Sequence, residues 1–506
     1  MKNRSTILTS FVFVLAFSLP AFSQKATPVT PRASPEAKAL LQFLYSINGK
    51  YTLTGQHNFP AAADKNSKFA ARYSGKTPAI FGTDFGFAKA GDKDSYLLRD
   101  SLVKEAERQY KMGAIVTLCW HAVPPTADEP VTFQPIQGAD PAKLASVQGQ
   151  LTDQQFKDVL TPGTQPYKKW AAQVDTIAIY LKKLQAAHVP VLWRPYHEMN
   201  GNWFWWGNRV GQYSTEALYR QMFDRFVKFH KLNNLIWVWS VDRPSKPGME
   251  FDKYYPGDKY LDILALDVYG SDFKQDYYDQ LVALSKGKPL ALAEVGDPPS
   301  SEMLKAQPKW SFWMIWAGMV RNTTQKQYAT FANDPRILGL DDQGYLNALN
   351  PFRIITGIPP LPLFRPADFT GEWILNEGKS NLNNGGTGNL STRLTIMQFE
   401  DELALNRSYT DEWSEPRITE EKLMLNGKEI NAEGGKRSTI AKLSDNKDTL
   451  SINSKINMSY GGQSFVIQTN ELWSLQNKGQ ELSIIQTSTS PRGERKATLV
   501  YDRIAF

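Results

Sequence analysis

Behind Lys2 and Arg4, the chain opens with an apolar run from Ile7 to Leu19, followed by Ala21-Phe22-Ser23. That order predicts a signal peptide over residues 1–23, cut before Gln24; the run is too short for a membrane span. A secreted or periplasmic protein is expected, with no membrane anchor, since no cysteine stands near the cut. Ser34-Pro35-Glu36 predicts a helix start, with Ala37, Leu40, Leu41 and Leu44 at helical spacing and Gly49 as its stop. Short apolar runs then recur at Tyr51–Gly55, Ala79–Thr83, Ala114–Trp120, Val189–Pro195, Leu235–Ser240, Leu261–Val268, Pro289–Glu294 and Ser311–Trp316. Most are continuous rather than alternating, as in strands covered on both faces of a parallel sheet. Helical stripes lie between them: Trp170, Val174, Ile177, Leu181 and Leu184; Leu218, Met222, Phe226 and Phe229; Tyr277, Leu281 and Leu284. Eight strands alternating with helices predict an α/β chain built on a (β/α)8 TIM barrel over 24–350. An open doubly wound sheet is the alternative, but no GxGxxG follows the first strand. The proline-rich stretch from His121 to Tyr167 is long for a barrel loop and is expected to wall the site.

The pattern changes near Pro351. Pro359, Pro360, Pro362 and Pro366 predict a stiff linker over 351–366. Beyond it the runs are short and alternating: Thr370–Leu375, Arg393–Phe399, Leu403–Tyr409, Glu421–Leu425, Ser438–Leu443, Thr449–Ile456, Ser464–Thr469, Leu482–Thr487 and Lys496–Tyr501. Turn pairs Asn426-Gly427 and Gly461-Gly462 separate some of them. A smaller all-β domain over 367–506 is expected, a meander barrel or a sandwich. Phe369-Thr370-Gly371-Glu372-Trp373 faintly resembles the opening of lipocalin-like barrels. A sugar-binding accessory, a lipid pocket and a packing partner for the first domain all remain open.

Composition narrows the chemistry. Across 506 residues, 58 Lys+Arg against 51 Asp+Glu leave +7 without a basic run, which argues against nucleic acid. Cys119 is the single cysteine, so there is no intramolecular disulfide and no cysteine-built metal cluster. His197-Glu198 is followed by Gly201, not a second histidine at the zinc-binding spacing.

In a barrel, function sits at the C-terminal ends of the strands. The fourth apolar run leads into Trp193-Arg194-Pro195-Tyr196-His197-Glu198, and the seventh ends in Ala293-Glu294-Val295-Gly296. Two carboxyls facing one pocket are the equipment of glycoside hydrolysis, one delivering a proton and the other attacking or activating water. Eleven of the 14 tryptophans fall in the barrel; Trp237 and Trp313 are expected in its core. Trp203-Phe204-Trp205-Trp206, directly after Glu198, is expected to stack on sugar rings.

The stretch His197-Glu198-Met199-Asn200-Gly201-Asn202-Trp203-Phe204-Trp205-Trp206-Gly207 resembles the acid/base segment of glycoside hydrolase family 26. Shorter matches are Trp120-His121, Leu266-Asp267-Val268-Tyr269-Gly270, Ala293-Glu294-Val295-Gly296 and Phe312–Trp316, so the similarity runs from about Ala33 to Pro351. The resemblance implies a retaining, endo-acting β-1,4-mannanase with Glu198 as acid/base and Glu294 as nucleophile. It further implies Tyr269 donating to the nucleophile, His121, Trp203 and Trp316 lining the sugar site, and His197 near the sugar's 2-hydroxyl with Asp267 orienting it. A monomer acting on β-mannan-type polysaccharide or oligosaccharide follows, with no cofactor and no metal. Trp239-Ser240-Val241-Asp242 departs from the Pro and Asn commoner in the family after the fifth strand. A β-1,3-xylanase, a mixed-linkage β-glucanase and a non-catalytic glycan binder remain alternatives.

Overall fold

The computed structural model describes residues 26–86, 95–132, 145–361, 367–382, 390–398, 402–411, 414–444, 448–460, 463–491 and 493–504. The expected signal peptide, Pro362, Pro366 and the Gly461-Gly462 turn lie outside them. No helix among the described residues is long and apolar enough to cross a membrane.

Eight parallel strands close into a barrel: β1 Gly55–His57, β2 Ile80–Asp84, β3 Ile115–Trp120, β4 Val191–Pro195, β5 Leu235–Asp242, β6 Ile263–Val268, β7 Leu290–Val295 and β8 Trp310–Ile315. Each overlaps a run expected as a strand, though at the first only Gly55 falls inside it. The preceding Thr52–Leu53 pairs instead with Phe312 and with Ile337–Leu338 below the barrel. Closure comes from β8 pairing with both β1 and β7.

Alternation along the strands sorts the two faces. Outward-facing Val116, Leu118, Val191, Trp193, Trp237 and Trp313 pack against the surrounding helices in one large core. Inward-facing Ile80, Ile115, Leu192, Ile236, Ile263 and Phe312 fill the barrel floor, which helices Pro35–Ile47 and Gln343–Ile355 plug. Higher on the same inner face stand Asp84, Cys119, Arg194, Ser240, Asp242 and Asp267, all buried. The barrel therefore changes from hydrocarbon at the floor to ionisable groups at the mouth.

The first helix begins as expected: Ser34 Oγ accepts from Ala37 N–H (3.2 Å) and Pro35 takes the first turn, where its missing N–H costs nothing. The stripe ending at Phe229 holds only partway. After Asp224 the chain makes a π turn over Arg225–Phe229, which rotates Phe229 out to 65% exposure. The linker expectation also needs correction. Pro351 sits inside the helix Gln343–Ile355, and the barrel domain runs past 350 to the packed Ile358 and Leu361. Proline is tolerated there because the carbonyl it orphans, four residues back at Asn347, belongs to an exposed residue that water reaches.

The C-terminal domain is a ten-stranded antiparallel meander running from Gly371–Leu375 to Gly493–Arg503, and those two strands pair with each other. Its two edges, Ser414–Met424 and Asn426–Ala432, follow each other in the chain; Leu423 and Leu425, at their junction, join the core around Trp373 and Trp473. The strand Asn426–Ala432, expected only as a turn, is the tenth. Lys68 Nζ reaches the carbonyl of Gln398 (2.7 Å), joining the two domains.

Candidate active site

The loop after β4 carries the first acid. Tyr196 (φ 49°) and Glu198 (φ 51°) both lie in the left-handed region, an arrangement that costs about 1–3 kcal/mol at a residue with a Cβ. The surroundings enforce it. Gly201 N–H bonds the Glu198 carbonyl (2.9 Å) and Trp206 Nε1 bonds the His197 carbonyl (2.9 Å). Asn200 uses both ends of its amide on the backbone of Asp242, at 2.6 and 2.8 Å. Two glycines make the loop possible: a Cβ on Gly201 would lie 2.3 Å from the Trp203 ring, and one on Gly207 would lie 2.1 Å from the Gly201 carbonyl oxygen.

Glu294 enters differently. Ala291 and Ala293 share the inner core, so alternation alone would turn residue 294 outward. A register shift between Leu292 and Glu294 against β6 inserts one extra residue and swings the carboxyl into the mouth. There Glu294 Oε2 accepts from Arg194 Nη2 (2.6 Å) and Oε1 accepts from the Tyr269 hydroxyl. Arg194 Nη1 binds Asp267 Oδ2 (2.8 Å), whose Oδ1 accepts from Ser240 Oγ (2.8 Å). Asp267 thus anchors Arg194 and does not orient His197, whose Nδ1 finds no partner among the described residues.

Glu198 Oε2 accepts from Trp203 Nε1 (2.5 Å). Burial, then the charges of Glu294, Asp267 and Asp242, push the Glu198 carboxyl well above its usual range. Burial also carries Asp242 up to about 7. Burial drives His57 down to about 3 and His197 far down, so neither adds a positive charge. The mouth therefore holds a buried carboxyl that keeps its proton beside one that meets a guanidinium and a phenol, the division of labour that two-carboxyl chemistry needs.

His121 and Trp316 border the same space. His121 Nδ1 lies 2.7 Å from Asp84 Oδ2, and its ring meets His197 edge-on at 4.5 Å. Trp316 stacks on His57 at 3.8 Å. The aromatic quartet divides. Only Trp203 is part-exposed; Phe204, Trp205 and Trp206 are buried, with Trp205 Nε1 on the Ala122 carbonyl (2.8 Å). Those three hold the loop and offer no face to a sugar, because their rings fill the space between β3, β4 and the helices.

Asp84, Cys119 and His121 are the only described residues grouped closely enough to hold a metal ion. Their atoms are already engaged: Asp84 Oδ2 accepts from the Cys119 thiol (2.9 Å) and faces His121. Burial pushes the thiol well up, whereas a metal ligand must be a thiolate. Burial opposes ionisation of Asp84, but His121, Cys119 and the Gly86 N–H outweigh it and hold the carboxyl well below its usual range. The trio reads as an anchor for His121. Sequence reasoning missed Asp84 and His57; the signal for the first was an acid directly after the apolar run Ala79–Thr83.

The sequence profile of glycosyl hydrolase family 26 matches residues 29–338. A mannan endo-1,4-beta-mannosidase of Thermothelomyces thermophilus is 34% identical over 303 residues, 58% of each chain. The chain thus spans little more than half of that relative's length. GH26A from Muricauda sp. MAR_2010_75 superimposes with a TM-score of 0.56 at 41% identity, over 62% of this chain and 98% of that one. A beta-mannanase from a symbiotic protist of the termite Reticulitermes speratus, complexed with gluco-manno-oligosaccharide, gives 0.53 at 28%, over 62% and 97%. The matched span contains both buried glutamates and the loop that strains around the first, and with it the chain belongs to glycosyl hydrolase family 26.

Proposed function

We propose that the protein is a retaining, endo-acting hydrolase of β-1,4-mannosidic linkages in mannan, galactomannan or glucomannan. The observation that carries the chemistry is the pairing of a proton-holding Glu198, on Trp203, with Glu294 held by Arg194 and Tyr269. The substrate assignment is supported by the activity in the relatives' names. Glu294 attacks the anomeric carbon as the glycosidic C–O bond breaks, and the Glu198 proton passes to the departing oxygen. Water then gives a proton to Glu198 while its oxygen displaces Glu294 from that carbon, so configuration is retained. His121, His197 and Trp316 line the sugar's seat; Asp267 holds Arg194.

The test is product analysis on mannan, galactomannan, lichenan and β-1,3-xylan, with the anomer read by proton NMR before mutarotation. Mixed mannooligosaccharides in the β form are expected. An α product would remove the double displacement, and cleavage confined to another polymer would remove the mannan assignment. Export with cleavage before Gln24 is part of the same reading, supported by the pattern of residues 1–23; N-terminal sequencing of the exported protein tests it. A monomer is expected by sedimentation, since one chain supplies every group named.

A further inference from the structure

β8 closes the barrel by pairing with its first and seventh strands, and Ile315 stands in register with both Gln56 of β1 and Val295 of β7. Trp316 follows directly, so the indole sits where the first strand is joined to the strand that carries Glu294. Trp316 N–H donates to the Val295 carbonyl (2.9 Å), one residue past Glu294. From the other side Gln56, fully buried, brings Nε2 within reach of three carbonyls: Ala317 (2.6 Å), His57 (2.8 Å) and Ile315 (3.2 Å). Ile315 and Ala317 flank Trp316. Ala317 lies in the left-handed region (φ 46°), which a residue with a Cβ adopts only when its surroundings hold it there.

The ring is held as well as the backbone. His57 lies against the indole with centroids 3.8 Å apart and planes 24° from parallel, and Phe59 meets both rings edge-on, 5.3 Å from His57 and 6.4 Å from Trp316. Neither His57 ring nitrogen finds a hydrogen-bond partner among the described residues, so the contribution of the imidazole is its contact with the indole. Asn66 Nδ2, on the helix Lys65–Ser74, fixes the His57 carbonyl (3.1 Å). One face of the half-buried Trp316 is thus covered by His57, and a sugar can meet only the other. Burial, against the pull of Asp84, holds His57 at about 3. The support therefore puts no positive charge behind the platform while positive charge develops on the reacting sugar.

We propose that Gln56 and His57 are positioning residues for the reaction: the Gln56 clamp and the His57 ring together fix the place of the Trp316 platform relative to Glu294. The inference rests on the hydrolase reading above, and the experiment separates the two. Gln56→Leu and His57→Ala are assayed on mannohexaose beside wild type. Each should lower kcat roughly 10–100-fold, as misplacing a group by about 1 Å does. KM should change less than about twofold, because most of that chain lies away from the indole. Two rescues separate positioning from folding. His57→Phe keeps a flat ring against the indole and should restore most of what His57→Ala loses. Adding Ala317→Gly to Gln56→Leu removes the Cβ that resists the left-handed region and should recover about fivefold in kcat. Unchanged kcat in both Gln56→Leu and His57→Ala overturns the proposal and leaves the hydrolase reading intact. A fall that neither second substitution recovers makes the two residues structural only and overturns it as well. If wild type cuts no β-glycan, the hydrolase reading fails, and crystal structures of Gln56→Leu and His57→Ala decide the rest. An indole displaced by about 1 Å or more supports the proposal; an indole in its wild-type place overturns it.

Discussion

At the mouth of the barrel stand four acids, Glu198, Asp242, Asp267 and Glu294, and two arginines: Arg194 binds Asp267 and Glu294, and Arg243 acts on Asp242. Inside the C-terminal meander, Arg407 and Arg437 meet Glu421 and Glu471 in equal number. Both clusters are largely buried, yet their electrostatics run in opposite directions. In the first, burial and mutual repulsion push Glu198 well up, Asp242 to about 7 and Asp267 to about 8, although Arg243 pulls Asp242 and Arg194 pulls Asp267 the other way. In the second, burial is outweighed by Arg407, by Trp473 Nε1 (2.8 Å) and by Gln486 Nε2 (3.0 Å), which hold Glu471 below the usual carboxylate range. A balanced cluster satisfies its own charges and holds a fold. An unbalanced one must be held by the fold, and its leftover proton is available for chemistry.

Breaking each cluster should separate these roles. The largest expected effect is on turnover: Glu294→Ala should lower kcat by about four orders of magnitude or more in steady-state assays. Its C-terminal unfolding transition should stay put. Glu471→Gln should do the reverse, leaving kcat unchanged while costing about 3–5 kcal/mol in denaturant unfolding of the second domain. Replacing Arg407 and Glu471 together by leucine should recover much of that loss, because no charge is then stranded on Arg407 and Glu421 keeps Arg437 (3.1 Å). Next comes Tyr269→Phe, which removes the hydroxyl on Glu294. A fall in kcat/KM of roughly 10–100-fold is expected, consistent with losing one charge-assisted hydrogen bond of about 1.5–3 kcal/mol.

The smallest effects concern pH and carry opposite signs in the two domains. Glu471 has a depressed folded value, so its stabilisation is present above about 4.3 and lost as pH falls. Asp242 has a raised one, so its contribution is intact below about 3.9 and is lost as pH rises to about 7. Asp242→Asn should therefore gain on wild type in thermal unfolding of the barrel between about pH 4 and 7. The same variant removes a negative charge that raises Glu198. The alkaline limb of kcat should then move to lower pH, read from the pH profile of kcat.

Much of this could be read along the chain. Eight apolar runs translate into barrel strands because a strand covered on both faces needs hydrocarbon at successive positions. Glu294 stood out because an acid ending such a run has no solvent to lean on, and Glu198 because it follows the fourth run at the same end of the barrel. Other features were invisible. Glu294 points inward only because β7 slips by one residue against β6, a property of pairing between strands. Asp267 orients Arg194 rather than His197 because β4 and β6, not neighbours in the barrel order, aim their side chains across the same mouth. Trp205 and Trp206 looked like sugar platforms, and became pillars once their faces were covered.

By itself the sequence determined the barrel, the all-β second domain and the two acids, since periodicity and composition along the chain are local quantities. Tertiary structure decided which acid keeps its proton, which aromatics face the cleft, and that a proline expected in a linker lies within a helix. Each of those depends on what stands across a few ångströms of space, and the linear order of residues does not encode that distance.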